Sequence, residues 1–257
     1  MEQRDKPIGV FDSGLGGISV LRACVDLLPR EDFLFFGDSA HAPYGEKSLA
    51  EVRRLTLAAV DHLLDQGVKG VVVACNTATS AAIHLLRQAH PDLPVIGIEP
   101  AVKPAAQAQE SSSVLVMATP LTIREDKYQK LAAAFCHQAN VISLPCPGLA
   151  EMVEQGLFDG PVVDAYLQDL FLPFRYCGVE YIVLGCTHYP FLRRAIARNF
   201  GRPVAIIDGS QGTARQLRRQ LEAKGLLSQR AGRGTVTFQN SLPEKLAMSQ
   251  TLFQMDY

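Results

Sequence analysis

The chain has 257 residues, 47% of them hydrophobic and 20% charged, with a formal net charge of −1. That composition suits a globular protein with one or two sizeable cores, and so small a charge supplies no field to collect nucleic acid or anionic lipid. Residues 1–7 lack the apolar stretch of a secretory signal and no run approaches the ~20 apolar residues that span a bilayer, so a cytoplasmic protein is expected, with its six cysteines as thiols.

Residues 8–11 form a short apolar run that enters Asp12-Ser13-Gly14-Leu15-Gly16-Gly17, after which Ile18, Leu21, Val25 and Leu28 recur at helical spacing as far as Pro29. This reads as strand, glycine-rich turn and helix. The turn is half of a dinucleotide fingerprint, but Ser19 takes the place of the third glycine and Asp12 would repel a phosphate. The alternative is that the exposed N–H groups bind a carboxylate while Asp12 and Ser13 face the site. Residues 33–36 read as the next strand, followed by a loop rich in turn residues from Gly37 to Gly45, of the kind that carries function at a sheet edge. A helix is expected over 48–66, with Val52, Ala59, Val60 and Leu63 on one face and Gly67 as its stop.

Val71-Val72-Val73-Ala74-Cys75-Asn76-Thr77 is an apolar run that ends in a cysteine, and Ala78, Ala82, Leu85, Leu86 and Ala89 mark a helix after it. A strand over 95–98 leads to Glu99-Pro100. From Ala101 the alternation restarts, so the boundary between two halves falls near residue 100. A helix to about Gln109 and a polar break over 110–113 precede a strand at 114–118. Thr122 and Glu125 have capping-box spacing for a helix through Phe135. A strand at 141–144 turns through Pro145-Cys146-Pro147-Gly148 into a segment carrying Glu151 and Glu154, and a long helix is expected over 161–176.

Ile182-Val183-Leu184-Gly185-Cys186-Thr187-His188 then repeats the earlier pattern, with Leu192, Ile196 and Phe200 at helical spacing behind it. A strand at 204–207, a basic amphipathic helix over 214–224 with a solvated face, a polar link over 228–234, a strand at 235–239 and a short helix containing Leu246, Leu252 and Phe253 complete the chain. No chemistry is expected of these last elements. Cys24, Cys136 and Cys177 are expected to be small buried hydrophobes, and Cys146 a loop residue.

The alternation predicts an α/β protein of two similar units, and it puts Cys75 and Cys186 at strand-to-helix turns, at the strand ends where open α/β sheets keep their sites. Facing units would set the sulfurs on opposite walls of one cleft. The long separation argues against a redox pair, and a zinc site of Cys75, Cys186 and His188 lacks a fourth ligand. Acid/base work fits better, because inverting a stereocentre needs a base on one face of the Cα–H bond and an acid on the other. Asp12 and His188 are placed to orient the protons, and N–H groups at Ser13, Asn76, Thr77 and Thr187 to bind carboxylates.

Asp12-Ser13-Gly14-x-Gly16-Gly17, Pro43-Tyr44-Gly45, Cys75-Asn76-Thr77-Ala78 and Gly185-Cys186-Thr187-His188-Tyr189-Pro190 occur in the order and spacing of the glutamate racemases, and the resemblance covers essentially the whole chain. It implies a cofactor-independent, metal-free enzyme that interconverts L- and D-glutamate and supplies D-glutamate for peptidoglycan. It implies two similar α/β domains with largely parallel sheets facing across a central active-site cleft, residues 1–100 plus 208–257 carrying Cys75 and residues 101–207 carrying Cys186. Carried over residue by residue, Cys75 and Cys186 are the catalytic acid/bases, assisted by Asp12, His188 and Glu154, the last matching the family's second-half glutamate better than Glu151. Asp12, Ser13, Tyr44, Gly45, Asn76, Thr77, Thr187 and His188 match substrate contacts, and Thr119 and Thr122 a threonine pair near the substrate. The resemblance is compatible with a homodimer. A racemase of aspartate, or a non-catalytic amino-acid-binding protein with the same fold, is the nearest alternative.

Overall fold

Runs of three to seven residues rich in Val, Ile and Phe are too short and too β-branched to coil alone, and each of them pairs as a strand. The computed structural model of the chain describes residues 2–108 and 111–257. The first half alternates β1 (Ile8–Asp12), α1 (Ile18–Leu27), β2 (Phe33–Gly37), α2 (Leu49–Asp65), β3 (Gly70–Val73), α3 (Asn76–Ala89) and β4 (Val95–Gly97). There follow α4 (Val102–Ala108), β5 (Ser112–Ala118), α5 (Pro120–Arg124), α6 (Asp126–Phe135), β6 (Ala139–Pro145), α7 (Leu149–Glu154), α8 (Pro161–Phe171), β7 (Val179–Leu184), α9 (Arg193–Phe200) and β8 (Ala205–Asp208). The chain closes with α10 (Ser210–Ala223), β9 (Val236–Asn240) and α11 (Leu246–Gln254).

The strands form two all-parallel sheets, ordered β4-β3-β1-β2-β9 and β6-β5-β7-β8. The chain therefore crosses between sheets after β4 and again after β8, and β9 adds to the edge of the first. Parallel sheets bury both faces, and the alternation of side chains sorts the core accordingly. Val71, Val73 and Leu34 pack with Val52, Leu63 and Ala82 of α2 and α3. Val10, Val72 and Ile96 face the other way, toward Ile18, Leu21 and Leu217, in a cluster that continues through Leu115, Ile182 and Leu184 of the second sheet. Val114, Val116 and Val183 pack with Ala105 and Tyr128 of α4 and α6.

Several expectations are corrected. The expected helix from Thr122 to Phe135 is two helices: Thr119 caps α5, accepting the Thr122 N–H at 3.3 Å, and Glu125 lies extended between α5 and α6. Pro120, at the first helical position, suits that earlier start. The helix expected to reach Tyr176 gives way at Phe171 to a 3-10 turn containing Pro173, whose missing N–H cannot continue an α-helix. Cys136 and Cys177 are exposed, not buried, whereas Cys24 and the loop residue Cys146 are buried. Ser112 and Ser113, expected in a break, are the first residues of β5. The expected helix end at Gln109 and the start of the break at Glu110 lie outside the described residues. Among the described residues no helix is long and apolar enough to cross a membrane.

Candidate active site

Cys75 stands just beyond β3 and is the N-cap of α3, a place usually held by Ser, Thr or Asp because the side chain must accept a helix N–H. Its sulfur does so, 3.4 Å from the Ala78 nitrogen, and also accepts from the Ser13 hydroxyl at 3.3 Å. Burial, reinforced by the charge of Asp12, pushes the Cys75 thiol up to about 12, while the Ser13 and Ala78 hydrogen bonds pull the other way. Asp12, the last residue of the neighbouring strand β1, is fully buried; it accepts from Gly14 N–H at 3.0 Å and from the Thr187 hydroxyl at 2.9 Å. Burial raises its carboxyl despite the opposing charge of His188 and those two donors.

Cys186 follows β7, but the helix behind it is delayed: a 3-10 turn over Tyr189–Leu192 intervenes before α9. That turn carries His188 back beside the sulfur, with Nδ1 at 3.6 Å from Cys186 Sγ. On the other side of the ring, Nε2 lies 2.7 Å from Glu154 Oε1, at the end of α7. Nε2 also faces the Gly16 N–H at 3.2 Å, and these two contacts turn Nδ1 toward the sulfur. Burial alone would depress the imidazole, but Cys186 and Glu154 outweigh it and hold His188 well above its ordinary value. Burial likewise pushes Glu154 up, and His188, the Leu15 N–H and the charge of Lys245 bring it below the usual carboxylate range.

The glycine-rich turn is what lets the halves meet. A methyl group on Gly14 would sit 2.1 Å from Glu154 Oε1, and one on Gly16 would sit 2.4 Å from His188 Nδ1 and 2.6 Å from Thr187 Oγ1. The turn thus forms a flat bed for Glu154, Thr187 and His188. Its N–H groups do bind a carboxylate, but that carboxylate is the protein's own: Leu15 N–H donates to Glu154 Oε1 at 2.5 Å.

A third junction closes the cavity. The hydroxyls of Thr77, Thr119 and Thr122 form a triangle with sides of 2.9, 3.0 and 2.9 Å, linking α3 of one half to α5 of the other. Gly45 lies against Thr119, where a methyl would come within 2.6 Å of the threonine Cβ. Tyr44 donates from its hydroxyl to Asp38 at 2.7 Å. Ser13, Tyr44, Gly45, Asn76, Thr77, Glu154, Thr187, His188 and both cysteines line one cavity. Asp12 supports that wall from behind through Thr187. Glu151 lines an adjoining recess beside Glu46 rather than this cavity. Both polar atoms of the Asn76 side chain are buried without a hydrogen-bond partner among the described residues, an arrangement that suits a ligand offering both a donor and an acceptor. Among the described residues no three His, Cys, Asp or Glu side chains converge as metal ligands would.

Asp38 and Ser39 escape a reading of the sequence. The loop containing them is recognisable, but not which of its side chains turn inward: Asp38 accepts from the Tyr44 hydroxyl and Ser39 donates to Glu154 Oε2 at 3.2 Å.

The Asp/Glu/Hydantoin racemase family model matches residues 8–217. The chain is 46% identical over 254 residues to the glutamate racemase of Clostridium perfringens, covering 98% of each chain. Its fold superimposes on the crystal structure of glutamate racemase from Francisella tularensis in complex with D-glutamate, with a TM-score of 0.85 and 30% identity over 98% of this chain and 95% of that one. The Escherichia coli glutamate racemase in complex with L-glutamate and the activator UDP-MurNAc-ala gives a TM-score of 0.83 and 28% identity over 96% and 95%. Sequence, fold and the order of the site's motifs agree, and the chain belongs to the Asp/Glu/hydantoin racemase family, within its glutamate racemase branch.

Proposed function

We propose that the chain racemises glutamate by moving a proton at Cα between Cys186 and Cys75, and that it supplies D-glutamate for peptidoglycan. The observation that carries this reading is that two thiols from the ends of strands in different sheets line one cavity, each with its own proton partner. The D- and L-glutamate bound by the Francisella and Escherichia relatives support the choice of substrate. In this reading residues 1–100 with 208–257 form one domain and residues 101–207 the other, and the cavity is the cleft between them.

Cys75 rests as the thiol, in keeping with its raised pKa. Cys186, its own proton held by His188, takes the Cα proton from one face of the substrate. The electron pair passes toward the α-carboxylate as Cα flattens, and Cys75 gives its proton to the opposite face. The charge then left on Cys75 is met by the Ser13 hydroxyl and the Ala78 N–H, at the positive end of α3. The reverse reaction runs the same steps backward, so one proton enters and one leaves in either direction. The NH₂ of Asn76 and the first N–H groups of α3 donate to a substrate carboxylate, which stabilises the charge that develops beside Cα, and Asn76 Oδ1 is left to accept from the substrate ammonium.

Circular dichroism of the protein with L-glutamate in deuterated buffer, without pyridoxal phosphate, is expected to show decay of optical activity with deuterium appearing at Cα, and much slower change with aspartate. Cys75→Ser and Cys186→Ser are each expected to lower the rate by roughly 10³-fold or more, since a hydroxyl is a far poorer acid/base near neutrality. Full activity in either variant removes that cysteine from the reaction.

A further inference from the structure

Glu154 is held from outside the cavity by a segment that the proton-transfer steps do not use. Its Oε2 accepts from the Ser39 hydroxyl at 3.2 Å, and Ser39 Oγ accepts in turn from Asn240 Nδ2 at 3.0 Å. The direction of these bonds is fixed at the far end. Asn240 Oδ1 accepts the Leu242 N–H at 2.8 Å, and a backbone N–H can only donate. The amide therefore turns its NH₂ toward Ser39, the single proton of Ser39 is left for Glu154, and Glu154 meets it as an acceptor. Neighbouring contacts hold the rest in place: Ala40 N–H donates to Ser241 Oγ at 2.9 Å, anchoring the turn that carries Ser39, and Lys245 Nζ donates to the main-chain oxygen of Glu154.

We infer that Asn240 and Lys245, on the C-terminal segment, are positioning residues for Glu154, so that the end of the chain keeps the Glu154–His188–Cys186 relay in register. This rests on the reading of that relay as the acid/base machinery at Cys186. It departs from the expectation that the last elements carry no chemistry. The charged and titratable groups facing Glu154 are His188 from the turn after β7, Lys245 from the turn before α11 and Asp12 from β1.

The test is the pH dependence of kcat/KM in Asn240→Ala, Asn240→Asp, Lys245→Met and Lys245→Arg. Glu154 works ionised, and loss of a donor or of a neighbouring cation raises the pH at which it takes up a proton. The acid limb is expected to move up by about half a unit to one unit for one charge-assisted hydrogen bond. Asn240→Asp is expected to move it furthest, because the new carboxylate claims the Ser39 proton and adds a charge. Lys245→Arg is expected to restore the parent limb. Limbs that stay in place while rates fall by one factor at every pH would overturn the inference. A second readout needs no turnover: the pH profile of Cys186 alkylation by iodoacetamide, mapped by peptide mass with the exposed Cys136 and Cys177 as internal references. Its acid-side fall is expected to move up with Glu154. A parent protein inert toward glutamate, with the Cys186 profile still shifting in the variants, sinks the functional reading alone. An active parent, with both profiles unmoved in every variant, sinks the positioning role alone.

Discussion

Asp12 is a carboxylate with no exposed surface, satisfied by one N–H and one hydroxyl. Keeping a charge there works against folding. Burial raises its folded pKa above the unfolded value, so its ionised form destabilises the fold at neutral pH, and that penalty disappears as pH falls through the folded value to about 4, the unfolded one. Asp12→Asn keeps an acceptor for Gly14, and Thr187 can turn its hydroxyl to accept from the new amide. The variant is expected to unfold at higher urea than the parent at pH 7, with the gap closing near pH 4, and to lose most racemisation. Equal loss of stability at both pH values would show that the charge is not what the fold resists. Asp12, Cys75, Cys186 and His188 were legible in the sequence because each follows an apolar run at a strand end. Asn76 was legible as a candidate contact beside Cys75, but its unpartnered amide was not, since only packing shows which polar atoms find partners.

The strands were the most legible elements, because a parallel strand buried on both faces must be a continuous apolar run. What ties their starts together was not. Lys69, immediately before β3, is fully buried; its Nζ donates to Glu31, just ahead of β2, and to the Arg4 carbonyl, just ahead of β1. The other oxygen of Glu31 accepts the Ser228 N–H at 2.7 Å, which fastens the link leading to β9. In one dimension these are unremarkable polar residues at the edges of apolar runs. Lys69→Met is expected to cost about 3–5 kcal/mol in urea unfolding, because it strands the Glu31 charge in the interior. Lys69→Met with Glu31→Gln is expected to recover much of that loss, since the new amide oxygen can still accept from Ser228. A single-variant cost below about 1 kcal/mol would mean that the pair does not hold this junction. The break between α5 and α6 was illegible for a related reason: Thr119 and Thr122 both offer capping oxygens, and the choice depends on Pro120 and on the hydroxyl of Thr77 across the cleft.

The relation between the two sheets decides whether two thiols at separate strand ends can serve one carbon atom, and no periodicity in the sequence reports it. Contacts across the cavity contribute to it, but so do the two crossovers, which lie side by side where Gly209 meets Glu99. A methyl on Gly209 would come within 2.3 Å of the Glu99 carbonyl oxygen and 2.9 Å of Ile98 Cγ1, and a main-chain oxygen cannot swing aside as a flexible side chain does. The strain has to be relieved by moving one crossover against the other, while the apolar clusters on the outer faces of the sheets are left as they were. Gly209→Ala is therefore expected to keep its far-UV spectrum and to lose roughly 10–100-fold in kcat/KM, the scale set by about 1 Å of misplacement between reacting groups. Gly212→Ala is the matched control: it lies within α10 with nothing near its would-be methyl, and it is expected to stabilise the fold by about 0.5–1 kcal/mol with activity unchanged. If Gly209→Ala is as active as Gly212→Ala, the crossovers have slack, and the spacing of the thiols is set within the cavity by the Asp12–Thr187, Leu15–Glu154 and Thr77–Thr119 contacts alone.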